Sequence, residues 1–306
     1  MATERPELIV GASSRVAQQY LKHCDELGRK VVLVSRREIK PQNNTSISDV
    51  VQQDLTDTNL AALKEAIRTK DLSRVVYFAV TNIDCASQSI EELRSVNTDP
   101  IPLICEQLSA NGSLQFVYFS TDMVFNSNAK GHDEDSEDFS DWNGYASSKR
   151  SGEKETLSYE QGQVVRLGNV VGVNNDFLSR VAQALKEGKP VNAWTNTFNR
   201  FACMSDICAV LDALEDYQGE QRIFHVASAD DSMSRYDIAS AFVNLCERQG
   251  VLPQNTSKSV GKSKANLDDG RPQYLVLNTT ATRSELGVLP TQTITFLGNN
   301  IDFYRD

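Results

Sequence analysis

The chain has 306 residues, 40% hydrophobic and 24% charged, enough to bury a large core and unlike a disordered or fibrous composition. A formal charge of −10 with no lysine or arginine stripe argues against nucleic acid as a partner. Apolar runs too short for a bilayer argue against a membrane span, and a start (Met1-Ala2-Thr3-Glu4-Arg5-Pro6-Glu7) without signal-peptide character makes the cytoplasm the expected compartment.

Glu7 to Val10 runs into Gly11-Ala12-Ser13-Ser14, after which Val16, Tyr20, Leu21, Cys24 and Leu27 recur at helical spacing up to Gly28. This predicts strand, glycine turn and helix. Val31 to Val34 is an unbroken apolar strand, as a parallel sheet covered on both faces requires. Val50-Val51 marks a third strand, Asn59 to Arg68 a helix, Arg74 to Val80 a fourth strand and Gln115 to Ser120 a fifth. Between the last two, Val96-Asn97-Thr98-Asp99-Pro100-Ile101-Pro102 predicts a break or kink, since proline removes a helical hydrogen bond and clashes with the preceding turn.

Ser127 to Asp141 is polar and acidic and predicts a solvated loop. Tyr145 to about Leu157 reads as helix, Val164 to Leu167 as a sixth strand, and Phe177 to Lys186 as a helix ended by Gly188. Arg222 to Val226 is strand-like and Ile238 to Arg248 helical, but the units become irregular. The expected fold is α/β: a doubly wound parallel sheet of Rossmann type with a smaller C-terminal substrate-binding lobe. The dinucleotide-binding domain is expected at 1–168 plus about 206–228, and the lobe at about 169–205 and 229–306.

Cys24, Cys85, Cys105, Cys203, Cys208 and Cys246 are scattered singly and read as buried free thiols. His23, His132 and His225 are not spaced as a metal pair, so no metal is assigned. The turn at Gly11, Ser13, Ser14, Arg15 and Val16 stands where a dinucleotide-binding protein brings pyrophosphate onto a helix N-terminus, but Ser14 and Ala17 occupy glycine positions. Cofactor binding and a simple tight turn both fit it. After the second strand, Ser35-Arg36-Arg37 offers guanidinium groups where NAD-selective enzymes carry an acid, which favours NADP(H) over NAD(H); the alternative is a basic surface turn. Asp54, followed by Leu55, is placed to touch adenine or to cap the next turn.

Tyr145 and Lys149, four residues apart, share one helix face, and an ammonium beside a phenol lowers a pKa otherwise near 10 toward neutrality. Ser120-Thr121-Asp122 stands at the carboxyl end of the fifth strand, where open α/β sheets bind ligands, so Thr121 can hydrogen-bond the reacting oxygen.

Three blocks, Ser120-Thr121-Asp122-Met123-Val124-Phe125, Tyr145-Ala146-Ser147-Ser148-Lys149-Arg150-Ser151-Gly152-Glu153 and Arg166-Leu167-Gly168-Asn169-Val170-Val171-Gly172, resemble the STDYVF, YGxTKxxGE and RxSxVYG blocks of the dTDP-4-dehydrorhamnose reductase family, extended short-chain dehydrogenase/reductases. The resemblance continues through Ala79-Val80-Thr81 with Asp84, Val96-Asn97, Arg200-Phe201 with Asp206, and Arg271 to Asn278, similar to RPxxxxLD.

It implies an oxidoreductase in which NADPH delivers hydride to a keto carbon of a nucleotide-linked 4-keto-6-deoxy sugar. In that reading Tyr145 donates the proton, Lys149 also holds the nicotinamide ribose, and Thr121 completes the triad. Ala79, Val80, Thr81 and Leu167 line the cofactor and Asn97 supports the site; packing and a satisfied buried amide are the plainer readings of Ala79, Val80 and Asn97. Thr81, Asp122, Met123, Asn169, Arg200 and Arg271 are the implied substrate contacts. Arg200 and Arg271 either pair with a diphosphate or bind local carboxylates such as Asp206 or Asp268-Asp269. Met123, Ala146 and Asn196 to Ala202 depart from the family's tyrosine, glycine and proline-threonine.

Two alternatives stay open. One is a non-catalytic regulatory subunit resembling the β subunit of methionine adenosyltransferase, and the other is a sugar-nucleotide epimerase. Family members often associate, so a homodimer is among the expected assemblies.

Overall fold

The computed structural model describes residues 5–37, 39, 46–81, 88–112 and 114–305. Strands β1 (Glu7–Val10), β2 (Val31–Ser35), β3 (Ile47–Gln52), β4 (Arg74–Tyr77), β5 (Gln115–Thr121) and β6 (Gly162–Leu167) alternate with α1 (Arg15–Glu26), α2 (Ala61–Thr69), α3 (Ile90–Asn97), α4 (Pro100–Ala110) and α5 (Gly144–Ser158). The chain continues through β7 (Asn169–Val171), α6 (Phe177–Lys186), β8 (Val191–Trp194), β9 (Phe198–Asn199), β10 (Phe201–Cys203), α7 (Met204–Glu215) and β11 (Ile223–Val226). It ends with β12 (Met233–Ser234), α8 (Arg235–Arg248), β13 (Val260–Ser263), β14 (Tyr274–Leu275), α9 (Thr280–Leu286) and α10 (Thr293–Asn299).

Seven strands form one sheet in the order β11-β6-β5-β4-β1-β2-β3. The pairs β1–β2, β1–β4, β2–β3 and β4–β5 are parallel. β1, β2 and β4 are buried throughout, which their apolar runs anticipated. Strand order reverses between β1 and β4, the switch point at which doubly wound sheets bind ligands. The expected helix break is present: α3 ends at Asn97 and α4 restarts at Pro100. The expected fourth strand is shorter than its apolar run. Phe78 N still donates to Val10 O at 2.8 Å, but Ala79 then lies against the Gly11 turn instead of continuing the ladder.

By compactness the chain divides into one unit of Met1–Val124 with Asn143–Val165, and a second of Phe125–Trp142 with Arg166–Asp306. In the first unit a charged cluster is sealed inside the apolar sheet. Glu7, fully buried on β1, accepts from Arg74 at 3.0 Å and from the Tyr20 hydroxyl at 2.9 Å, and pairs with Arg29 at 3.3 Å. Burial and then the Glu7 carboxylate push the Tyr20 phenol well above its usual range, so it stays a proton donor.

In the second unit, the acidic stretch expected to be a solvated loop is half interior. Asp133, Asp135, Glu137 and Asp138 are exposed, but His132, Glu134 and Ser140 are buried. The Glu134 carboxylate accepts from Thr282 N and Thr282 Oγ1, both at 3.0 Å, in the first turn of α9. Buried Arg166 donates to Glu134 O at 3.1 Å and lies 4.8 Å from the centre of the Phe125 ring. Burial, and next Arg166, hold His225 down to about 3, so this imidazole stays neutral. A charge count treats the segment as uniform, whereas an anchored loop alternates outward acids with inward polar groups. Small pairings complete this unit: β7–β10, β8–β13 and β12–β9–β14.

Cys24, Cys105, Cys203, Cys208 and Cys246 are buried free thiols, and Cys85 lies outside the described residues, as does Asp84. Among the described residues, no helix is long and apolar enough to cross a membrane.

Because Arg29 and Arg74 share the Glu7 carboxylate in the interior, Glu7→Gln is expected to destabilise the fold by about 3–5 kcal/mol in urea denaturation.

Candidate active site

The first βα turn is shaped by contact. Gly11 has φ +80°, and a Cβ there would stand 2.4 Å from the Ala79 backbone, so only glycine lets the two segments meet. Ser14 is the N-cap of α1, its Oγ accepting from Ala17 N at 3.2 Å. No acceptor meets the N–H of Ser13 or Val16 among the described residues, and Ser13 and Arg15 are exposed. The turn therefore keeps helix N-terminal donors in spite of its missing glycines.

At the ends of β2 and β3 a cleft is lined by Arg36, Gln52, Gln53, Asp54 and the start of α2. Arg36 and Arg37 are exposed, and Arg37 N donates to Ser35 Oγ at 3.3 Å. Asp54 caps the following turn, accepting from Thr56 N at 3.0 Å and Thr56 Oγ1 at 2.9 Å, and those bonds hold its carboxyl below the usual range. Leu55 beside it is half-buried. Gln53 carries no recognisable motif, yet its Oε1 accepts from Ala62 N at 3.0 Å and Leu63 N at 3.3 Å, capping α2 from the neighbouring strand.

Asn97, fully buried at the end of α3, gathers the next group. Its Nδ2 donates to Thr81 Oγ1 at 3.2 Å and to Ser148 Oγ at 2.9 Å, while its main-chain oxygen accepts from the Tyr118 hydroxyl at 2.8 Å. Ser148 in turn donates to Tyr145 O at 2.8 Å. A Cβ on Gly152 would fall 2.3 Å from Asn97 O, so this glycine lets α5 pack directly onto the end of α3. Ser148, Tyr118, Gln53 and Gly152 were not singled out as site residues. Ser148 and Gly152 stand inside a recognised block, whereas nothing in the sequence flags Tyr118 or Gln53. Of the expected cofactor-lining pair, Ala79 is buried and Val80 is 40% exposed.

α5 begins at the Asn143 cap and packs on β5 and on the short 3-10 turn Asp122–Val124. Tyr145 and Lys149 are both buried on it. Lys149 Nζ lies 4.0 Å from the centre of the Tyr118 ring, a cation–π contact in a desolvated position. Burial, opposed by the Glu153 carboxylate, draws the Lys149 ammonium down from 10.5 to about 7. Thr121 Oγ1 donates to Asp122 Oδ1 at 3.1 Å and accepts from Met123 N at 3.3 Å. Thr81, Asn97, Thr121, Tyr145 and Lys149 all belong to the first unit.

Leu167, Asn169, Arg200 and Arg271 belong to the second. Leu167 is buried, and Asn169 opens β7 opposite Phe201. Arg200 Nη1 faces Leu277 O at 3.5 Å and Asn278 Oδ1 at 3.4 Å. Arg271 lies over Trp142 and Trp194. Neither has a carboxylate ion-pair partner among the described residues; Asp206 instead accepts from Thr291, and Asp269 from Arg271 N.

The strand order and the glycine turn at the first crossover define an α/β protein of the doubly wound class. The model of the RmlD substrate binding domain family matches residues 7–302, and the chain belongs to this family. The resemblance drawn from the motif blocks is thus borne out.

Among solved structures, the chain is similar to a dTDP-4-dehydrorhamnose reductase from Bacillus anthracis in complex with NADP (17% identity, TM-score 0.80, 99% of each chain covered). It is similar to MoeE5 in complex with UDP-glucuronic acid and NAD (18%, TM-score 0.79, 98% of this chain and 99% of that one). A third similar structure is a hypothetical dTDP-4-dehydrorhamnose reductase from Sulfolobus tokodaii (23%, TM-score 0.75, 95% and 98%). No curated protein sequence matches the chain. The comparisons lend no support to a regulatory-subunit reading.

Lys149 sets a pH dependence. Between pH 7 and 10.5 the unfolded chain holds this proton and the folded chain releases it, so its penalty on folding shrinks as pH rises. Lys149→Met is expected to be more stable than wild type at pH 6, with the gap in Tm closing as the pH approaches 10.5.

Proposed function

We propose that the chain is an NADPH-dependent reductase acting on a keto group of a nucleotide-linked 4-keto-6-deoxy sugar or similar ketone. The observation that carries this reading is the buried pair Tyr145 and Lys149, anchored through Ser148 and Asn97 to Thr81, on a helix packed against the strand that ends in Thr121. The residues fit a dinucleotide. Gly11 forms the close turn, Ser13 N and Val16 N are available to a pyrophosphate, and the Ser14 hydroxyl proton has no acceptor among the described residues. Arg36, exposed at the cleft beside Gln52 and Asp54, supplies the guanidinium suited to a 2′-phosphate. When bound, that cofactor supplies hydride to the keto carbon.

Tyr145 gives its phenolic proton to the carbonyl oxygen as negative charge develops there. Lys149 steadies the resulting phenolate; its contact with the Tyr118 ring fixes the ammonium, and its nearly neutral titration lets it pass a proton on. The Thr121 hydroxyl, which faces Asp122 in this structure, turns to the carbonyl oxygen when substrate is present. Arg271, rather than Arg200, takes the diphosphate, because Arg200 is turned toward Leu277 and Asn278 while the Arg271 guanidinium lies over two indole rings and has no carboxylate ion-pair partner among the described residues.

Calorimetric titration is expected to show NADPH binding more tightly than NADH, with Arg36→Ala reducing NADPH affinity at least about tenfold. Tyr145→Phe is expected to bind NADPH normally and to lose about 10²–10⁴ in kcat with a nucleotide-linked 4-keto-6-deoxy sugar. Wild-type protein that binds neither dinucleotide would overturn the reading.

A further inference from the structure

The chain has two tryptophans, and both lie over the same cation. The Arg271 guanidinium carbon stands 4.8 Å from the Trp142 ring centre and 5.1 Å from that of Trp194. The stack continues beyond Trp194: Arg235 lies 5.4 Å from that indole and 4.8 Å from the Phe177 ring. Aromatic and cation alternate through five residues, all within the second unit.

The members sit on fixed backbone. Trp194 closes β8 in register with Ser263 of β13, and Thr195 N donates to Ser263 O at 3.0 Å. Phe177 opens α6 behind the Asp176 cap, and Arg235 opens α8 behind the Ser234 capping box. The Arg271 backbone N–H is tied to Asp269 Oδ1 at 3.1 Å, and the preceding Gly270, at φ +82°, turns the chain beside the Trp142 indole.

An indole face and a carboxylate treat a guanidinium differently. A carboxylate takes up its N–H donors and cancels its charge; an aromatic face carries no formal charge, so it leaves the full charge of the guanidinium in place. In a chain with 41 acidic residues against 31 basic ones, Arg271 has no carboxylate ion-pair partner among the described residues. Such a cation is oriented and un-neutralised, which suits paired hydrogen bonds to the oxygens of a diphosphate.

We infer that Trp142 and Trp194 are positioning residues that hold Arg271 against their rings for the diphosphate of a nucleotide-linked substrate, with Arg235, which contacts both Trp194 and Phe177, steadying Trp194. The inference rests on the reading proposed above. It also makes the intrinsic tryptophan emission of the protein a reporter of that site, since both tryptophans lie over Arg271.

The test titrates the full chain with UDP and dTDP, and with uridine and thymidine as controls, by fluorescence and calorimetry, measuring NADPH affinity separately. The diphosphates are expected to change tryptophan emission and the nucleosides to leave it unchanged. Trp194→Ala is expected to weaken diphosphate binding about tenfold and to raise KM with kcat and NADPH affinity unchanged, while Trp194→Phe, which keeps a ring in place, recovers binding to within about threefold of wild type. Arg271→Lys is expected to bind as weakly as Trp194→Ala, because an ammonium lacks the planar fork. Wild type that binds NADPH but neither diphosphate would overturn both this inference and the nucleotide-sugar part of the function. Wild type that binds the diphosphates, with Trp194→Ala binding them equally well, would overturn the inference alone.

Discussion

The carboxamide of Asn97 is where the first unit comes together. One fully buried side chain takes up Thr81, where the chain leaves the fourth strand, and Ser148 in the middle of α5, while its own carbonyl receives the hydroxyl of Tyr118 from β5. Three segments distant in sequence are thereby held at hydrogen-bonding range of a single residue. The bonds to Ser148 and Tyr118 are made away from water, where leaving a partner unpaired costs about 1–3 kcal/mol, so they support one another. The helix break that Pro100 enforces is what leaves Asn97 at a helix end with its carbonyl available to Tyr118.

The electrostatics of the proposed proton-transfer group follow from that anchor. Because Gly152 admits the end of α3 so closely, α5 packs deep enough to bury Lys149 against the face of Tyr118. Desolvation then brings an ammonium that would titrate far above neutrality into the physiological range, with Glu153 limiting the fall. The same burial pushes the Tyr118 phenol well above its usual range, so it remains the donor that Asn97 requires. Structure and chemistry share residues here: the contact that fixes Lys149 also completes the hydrogen-bonded set around Asn97.

In the second unit, aromatic faces lie against two of the cations. Buried Arg166 lies on the ring of Phe125 and bonds the Glu134 carbonyl, so an interior cation is carried by an aromatic face and a main-chain dipole, with His225 kept neutral beside it. The half-buried Arg271 is held by indoles in a comparable way. In the first unit, Arg29 and Arg74 are paired with the Glu7 carboxylate.

Local chemistry was enough to establish the alternating strands and helices, the break before Pro100 and the helix that carries Tyr145 and Lys149, since each depends on residues within a few positions of one another. The doubly wound parallel sheet followed almost as directly, because parallel crossovers leave few arrangements. The motif blocks carried the family, which the match over residues 7–302 then showed. Tertiary structure alone decided the partners. Nothing near Tyr118, Gln53 or Glu134 in sequence announces that they serve Asn97, α2 and α9, for each acts on a different element from its own. The acidic stretch after Ser127 looked solvated for the same reason: composition reports how many charges a segment has, but which of them turn inward depends on where remote donors stand. The tryptophans at 142 and 194 were two isolated aromatics until the fold brought Arg271 over both, since a side chain's role is defined by the neighbours that long-range packing supplies.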